Sequence, residues 1–265
     1  MKVRVIRRRV KTLYTRSRIP GVDWSVNQYV GCSFACPYCY AKNVVGEKEG
    51  EWGSWVVAKV NAPELARKRV SGRVVMSTVS DPYQPVEAEL KLTRSVLRFM
   101  DKRNELSILT KSPLVTRDID LFRLFNSIEV GLTVNSFEGR EKALLEPMTP
   151  VMKARINALQ ELHDAGLRTY AFVSPIIPGV TDVSDIVEET RDFVDHYFFE
   201  VLNLRKAGEG FESTLRENFP ESHRVLTRAE LFRAFIDGLI SEVRSLGIRG
   251  EGIETHFRGW GFVRL

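Results

Sequence analysis

The chain has 265 residues, 43% apolar and 28% charged, which fits a soluble globular protein with a full core and excludes a disordered or disulfide-stapled chain. No run approaches about 18 uninterrupted apolar residues, so no membrane-spanning helix is expected. The net charge of +5 is uneven: residues 1–18 carry Lys2, Arg4, Arg7, Arg8, Arg9, Lys11, Arg16 and Arg18 and no acid. The opening MKVRVIRRRVK has no apolar segment of the kind a secretion signal needs, so a cytoplasmic location is expected. This basic arm, residues 1–21, has two readings. It is either a phosphate-binding segment in which Arg7, Arg8 and Arg9 contact DNA or RNA, or a solvated edge strand whose charges block further pairing.

Short β-branched or aromatic runs then alternate with helix-period segments. Strands are predicted at 26–30, 74–79, 106–110, 128–134, 168–173 and 197–202. Helices are predicted at 62–70, 93–103, 117–125, 152–165 and 184–194. Gly166 reads as the residue that ends the fourth helix, and Asp182 or Ser184 as the N-cap of the fifth. Six mostly apolar strands separated by helices imply an α/β fold with parallel pairing through right-handed crossovers. Barrels and open sheets of this kind bind ligands at the C-terminal strand ends. Polar residues collect there: Ser80 and Asp81, Thr110 and Lys111, Thr133 and Asn135, Asn203 and Arg205.

The core is expected over residues 22–205 and an extension covering the barrel over 206–265. Within the extension, 206–212 reads as a Gly-rich loop and 227–246 as an amphipathic helix with Thr227 and Glu230 as a capping box. The tail from Glu254, with His256, Arg258 and Trp260, is expected to lay a strand over the barrel mouth.

All three cysteines of the chain, Cys32, Cys36 and Cys39, stand within GCSFACPYCYA. Three thiolates on one short loop can converge on a soft metal centre. A [4Fe–4S] cluster normally takes four cysteines, so three would leave one iron open to an outside ligand. Zinc, which prefers four protein ligands in a closed site, and three free buried thiols are the alternatives.

The C-x3-C-x-(aromatic)-C spacing, with Tyr38 before the last cysteine, resembles the radical S-adenosylmethionine (radical SAM) superfamily. NQYVGC (27–32), STVSDPYQPVE (77–87), ILTKS (108–112), GLTVNS (131–136) and VLNLR (201–205) are similar to its spore photoproduct lyase branch. The likeness covers roughly residues 24–205. It implies a partial (βα)6 TIM-like barrel with a C-terminal helical extension. It further implies a [4Fe–4S] cluster on the three cysteines, whose open iron chelates S-adenosylmethionine, and reductive cleavage to a 5′-deoxyadenosyl radical. By the same resemblance, Ser80 and Asp81 would meet the amino group of S-adenosylmethionine and Lys111 its carboxylate. Thr133 and Asn135 would reach the ribose or carboxylate. The chain near Tyr38, Ile176 and Asn203 would cradle the adenine. An electron donor such as ferredoxin or flavodoxin is an implied partner.

The branch uses a cysteine beside the Ser-Asp pair as hydrogen-atom donor, and this chain has Thr78 there. Thymine-dimer repair is therefore not expected. Tyr83 is the candidate catalytic relay, with a buried aromatic role as the other reading. The substrate is unassigned, with nucleic acid as the first expectation. The alternative to an enzyme is an iron–sulfur redox sensor or nucleic-acid-binding protein without turnover.

Overall fold

The computed structural model describes residues 3–46, 49–257, 259 and 261–265. Its strands are β1 (Arg4–Arg8), β2 (Tyr14–Arg16), β3 (Trp24–Val26), β4 (Tyr29–Val30), β5 (Trp55–Lys59), β6 (Arg73–Met76), β7 (Glu105–Thr110), β8 (Ile128–Val134), β9 (Arg168–Ile176), β10 (His196–Val201), β11 (Gly250–Thr255) and β12 (Gly261–Val263). Nine of them form one sheet in the order β12-β11-β10-β9-β8-β7-β6-β3-β2. From β3 to β11 neighbouring strands are parallel, and β2 and β12 are antiparallel edges. This is the α/β partial barrel of the sequence reading.

Parallel strands covered on both faces must be apolar throughout. Accordingly Val130, Leu132 and Val134 of β8 and Ala171 and Val173 of β9 are fully buried. Helices over Met152–Asp164 and Val183–Thr190 connect successive strands. Gly166 takes a positive φ after the first, and the Asp182 carboxylate accepts the Asp185 N–H at the start of the second, as predicted. No helix among the described residues is long and apolar enough to cross a membrane.

Several expectations need correction. The run 26–30 is two strands: β3 ends at Val26 in the large sheet, and β4 pairs with β5 in a separate sheet of order β1-β5-β4. The break comes from side chains. Asn27 Oδ1 accepts the Thr78 and Val79 N–H groups at 2.8 and 3.2 Å, and Gln28 Nε2 donates to Thr93 at 2.7 Å. Strand β6 stops at Met76, because Ser77 adopts φ 68°. The basic segment forms β1 at the edge of the small sheet, where Arg8 pairs with Glu49 at 2.7 Å and Arg9 with Glu64 at 3.2 Å.

The stretch 206–212 is helical on either side of Gly208, in helices Leu204–Ala207 and Glu209–Asn218. The Thr227–Glu230 capping box does not form: Thr227 ends the helix Pro220–Thr227, its hydroxyl donates to the His223 carbonyl at 2.7 Å, and Ala229–Ser245 starts without a side-chain cap. The C-terminal strands join the large sheet, β11 pairing parallel with β10 and β12 antiparallel with β11, and His256 after β11 lies 2.9 Å from Glu200. The expected tail residues Arg258 and Trp260 lie outside the described residues.

Candidate functional site

The three cysteines lie between β4 and the helix Ala41–Val45. Cys32 and Cys36 are buried and Cys39 half-buried. Two side chains bolt this loop to the loop after β6. Gln84, fully buried, accepts the Ser33 N–H at 2.9 Å and donates to the Gly31 carbonyl at 3.1 Å and to Ser80 Oγ at 2.8 Å. Tyr40 donates its hydroxyl to the Thr78 carbonyl at 2.5 Å.

Burial raises all three thiols above their ordinary range. The Asp81 carboxylate adds to the effect at Cys32, and Glu146 adds to it at Cys36. Lys111 acts in the opposite direction on both Cys36 and Cys39. A set of buried, charge-disfavoured thiols fits a site whose compensating positive charge comes with a metal centre.

Of the predicted polar residues, Asp81 and Lys111 act on the thiols of this loop. Asp81 accepts the Tyr83 N–H, the Thr110 hydroxyl and the Lys111 N–H at 2.8, 2.6 and 2.8 Å, so it braces the end of β7. Burial raises its carboxyl and these three bonds oppose the rise. Lys111 Nζ lies 3.7 Å from Glu146 and 5.9 Å from the Tyr38 ring centre. Asn135, 1% exposed at the end of β8, accepts the Phe137 N–H, while its Nδ2 is buried without a partner among the described residues. Thr133 is buried, and its carbonyl accepts from Arg155 at 3.2 Å. Ile176 is buried at the end of β9, and its carbonyl accepts the Leu202 N–H. Asn203 caps the helix after β10 by accepting the Lys206 N–H at 3.0 Å. Tyr83 shares a backbone bond with Asp81, but its side chain turns to a different network. It is fully buried, and its hydroxyl donates to Asp118 within a network of Glu87, Arg94 and Arg117. This corresponds to the buried-aromatic reading.

Sequence reasoning missed the pair that organises one wall. Glu146, 1% exposed, accepts from Tyr38, Arg155 and Thr149 and neighbours Lys111. Burial alone would raise its carboxyl, but Arg155, Lys111 and Tyr38 together bring it down to about 2. It also missed Glu200, which accepts from Ser174 at 2.8 Å and lies 2.9 Å from His256 Nε2. Glu200 acts electrostatically on Cys39. The extension reaches the same loop: Phe211 packs edge-on against Tyr38, with ring centres 6.1 Å apart.

A sequence model of the radical SAM superfamily matches residues 26–194. The chain belongs to the radical SAM superfamily. An uncharacterized protein of Methanocaldococcus jannaschii is 46% identical over 257 residues, covering 96% of this chain and 99% of the relative. The radical SAM Nalpha-GlyT isomerase of Pseudomonas phage M6 is 23% identical over 161 residues, covering 58% of this chain and 33% of that enzyme. The fold is that of the spore photoproduct lyase branch. The structure of spore photoproduct lyase complexed with dinucleoside spore photoproduct superposes with a TM-score of 0.60 at 17% identity, covering 82% of this chain and 66% of that one. The chain thus spans about two thirds of the length of the lyase. Within the radical SAM fold, the cysteine loop follows β3 and the short strand β4, and the polar residues stand at the C-terminal ends of the next strands of the large sheet.

Proposed function

We propose that the protein is a radical SAM enzyme that holds a [4Fe–4S] cluster on Cys32, Cys36 and Cys39, binds S-adenosylmethionine beside it, and acts on nucleic acid. Two observations carry this reading: Lys111 acts on two cysteines, and the Asn135 amide at the end of the next strand is buried without a partner among the described residues. A thiol metal centre alone needs neither group. A charged amino-acid ligand needs both a cation and fixed donors.

When bound, the cluster supplies the electron that cleaves S-adenosylmethionine to a 5′-deoxyadenosyl radical. The chain's own residues bind and orient. Lys111 would take the methionyl carboxylate as a point charge. Asn135 would donate its free N–H to the same ligand, with Thr133 and Ser80 beside it. The chain at Tyr38, Ile176 and Asn203 would shape the adenine side. Glu146 and Arg155 hold Tyr38 and the Lys111 ammonium in place, and Asp81 fixes the Lys111 backbone. Burial of this wall keeps water from the reacting groups.

Support for a nucleic-acid substrate comes from the basic β1 edge and from the dinucleoside bound in the lyase structure. The reaction would differ from that of the lyase, since Thr78 stands at the hydrogen-donor position and its hydroxyl accepts from Asn27 at 3.1 Å. An electron donor of the ferredoxin or flavodoxin type would complete the system.

The test is anaerobic reconstitution. The protein should bind about four irons per chain and release 5′-deoxyadenosine from S-adenosylmethionine with dithionite. Cys36→Ala should lose both. A full cluster with no 5′-deoxyadenosine would favour a redox sensor, and stoichiometric zinc would overturn the reading.

A further inference from the structure

Two tryptophans bracket the cysteine loop. Trp55 opens β5, and its indole N–H donates to the Gly50 carbonyl at 2.9 Å. Its ring lies against the backbone of Gly31, one residue before Cys32: a Cβ there would come within 2.7 Å of the ring, and Gly31 has φ +83°. Trp52 crosses Trp55 at 90° with ring centres 6.4 Å apart, which fixes the plane of the second indole.

Trp52 packs directly on the group formed by Cys32, Phe34 and Cys36. The next residue shows how close this approach is. A Cβ on Gly53 would fall 2.4 Å from the Ala35 Cβ, so only glycine lets the 52–53 segment run against the chain between the first two cysteines.

The Trp52 Nε1 atom is buried and has no hydrogen-bond partner among the described residues. The other described indoles are satisfied, Trp55 by Gly50 and Trp24 by the Ser71 carbonyl at 3.0 Å. A buried donor left unpaired is costly, and tryptophan N–H groups in protein interiors normally find an acceptor. Lys42, Asn43 and Glu209 line a pocket with Trp52, but none of them bonds its N–H. The groups packed on Trp52 include the thiols of Cys32 and Cys36, and a neutral thiol is a poor acceptor. A cluster sulfide or a metal-bound thiolate is a good one, and hydrogen bonds to such sulfurs set reduction potentials.

We propose that Trp52 is a positioning residue of the cluster: its indole N–H donates to a sulfur of the bound [4Fe–4S] centre and thereby eases its reduction. The proposal rests on the function proposed above. The hydrogen bond favours the more negative, reduced cluster, so its removal makes reduction harder.

The experiment uses the reconstituted full chain with 15N-indole-labelled tryptophan and the Trp52→Phe variant, which keeps an aromatic ring and removes the donor. In the reduced wild type, electron–nuclear double resonance should reveal an exchangeable proton and one indole 15N coupled to the cluster. Both signals should vanish in Trp52→Phe. At a fixed reducing poise, the ratio of reduced to oxidised cluster in the variant should fall about three- to tenfold, with iron content unchanged.

A loaded wild type without the 15N coupling, or a loaded variant with an unchanged midpoint, overturns the proposal and leaves the radical SAM reading intact. A wild type that holds no cluster overturns both. Should Trp52→Phe fail to retain iron, the wild-type spectrum decides alone.

Discussion

Gln84 accepts the backbone N–H of Ser33 at 2.9 Å, and through this bond the loop after β6 fixes the loop that carries all three cysteines. The same fully buried amide also reaches the Gly31 carbonyl and Ser80. Gln84→Leu would strip the loop of these partners and leave Ser33 and Gly31 groups unpaired in the interior. Each such loss costs about 1–3 kcal/mol, so the melting midpoint should fall by about 5–10 °C. The chain should also retain less iron after gel filtration. A variant with wild-type iron content would show that the cysteine loop holds its shape without this tie.

Lys111 offers a separable prediction because its side chain and backbone do different things. Its N–H bonds Asp81 whatever the side chain is, while the side chain is 17% exposed beside Glu146. Lys111→Met should therefore keep the fold and the iron. It should weaken S-adenosylmethionine binding about ten- to hundredfold, the range of a lost charge-assisted hydrogen bond. Calorimetric titration of the reconstituted protein measures this. Unchanged affinity would remove Lys111 from the ligand site.

The Glu146–Arg155 pair makes stability depend on pH. The Glu146 carboxyl is lowered from 4.5 to about 2, so the unfolded chain binds its proton first as pH falls. Its contribution is complete above pH 4.5 and is lost as pH drops toward 2. Breaking a buried pair by removing one partner costs about 3–5 kcal/mol. Glu146→Gln should therefore unfold at markedly lower urea near neutrality and show a flatter acid limb over that window. An acid limb identical to wild type would place the pH sensitivity elsewhere.

How much of the fold and site is legible in the sequence depends on the range of the interactions. Strand β8 reads to the residue because Val130, Leu132 and Val134 are buried by position alone. The division of 26–30 is hidden because the Asn27 and Gln28 partners, Thr78 and Thr93, lie 51 and 65 residues away. Lys111 and Asn135 stand out as polar residues directly after apolar strands. Glu146 does not, since it follows a short helix in a loop and gains its meaning only when Arg155 and Tyr38 fold against it. The helix after Gly208 escapes the sequence reading because packing of Phe211 and Leu215 into the core outweighs the local glycine signal.

Tyr83 is a candidate relay on sequence grounds, and its bonding argues for another role. Its hydroxyl donates to Asp118 at 3.1 Å, and the Arg117 guanidinium lies 5.8 Å from its ring centre. Tyr83→Phe removes one hydrogen bond, worth about 1 kcal/mol, and should lower the melting midpoint by about 2–4 °C. The yield of 5′-deoxyadenosine should be unchanged. A variant that is stable but inactive would return Tyr83 to the chemistry.

The β1 edge decides whether nucleic acid binds through the arm. Arg8 and Arg9 already pair with Glu49 and Glu64, which are 24% and 69% exposed. Exposed pairs are weak, about 0–1 kcal/mol, so a phosphate can displace the carboxylates at little cost. Neutralising Arg7, Arg8 and Arg9 together to Gln should therefore weaken binding of a nucleic-acid oligomer. It should also flatten the plot of log affinity against log salt by about 2–3, since each phosphate neutralised on duplex DNA adds about 0.9 to the slope. The measurement is fluorescence anisotropy across a salt series. Equal affinity and equal slope for wild type and variant would show that the charges serve only to guard the sheet edge.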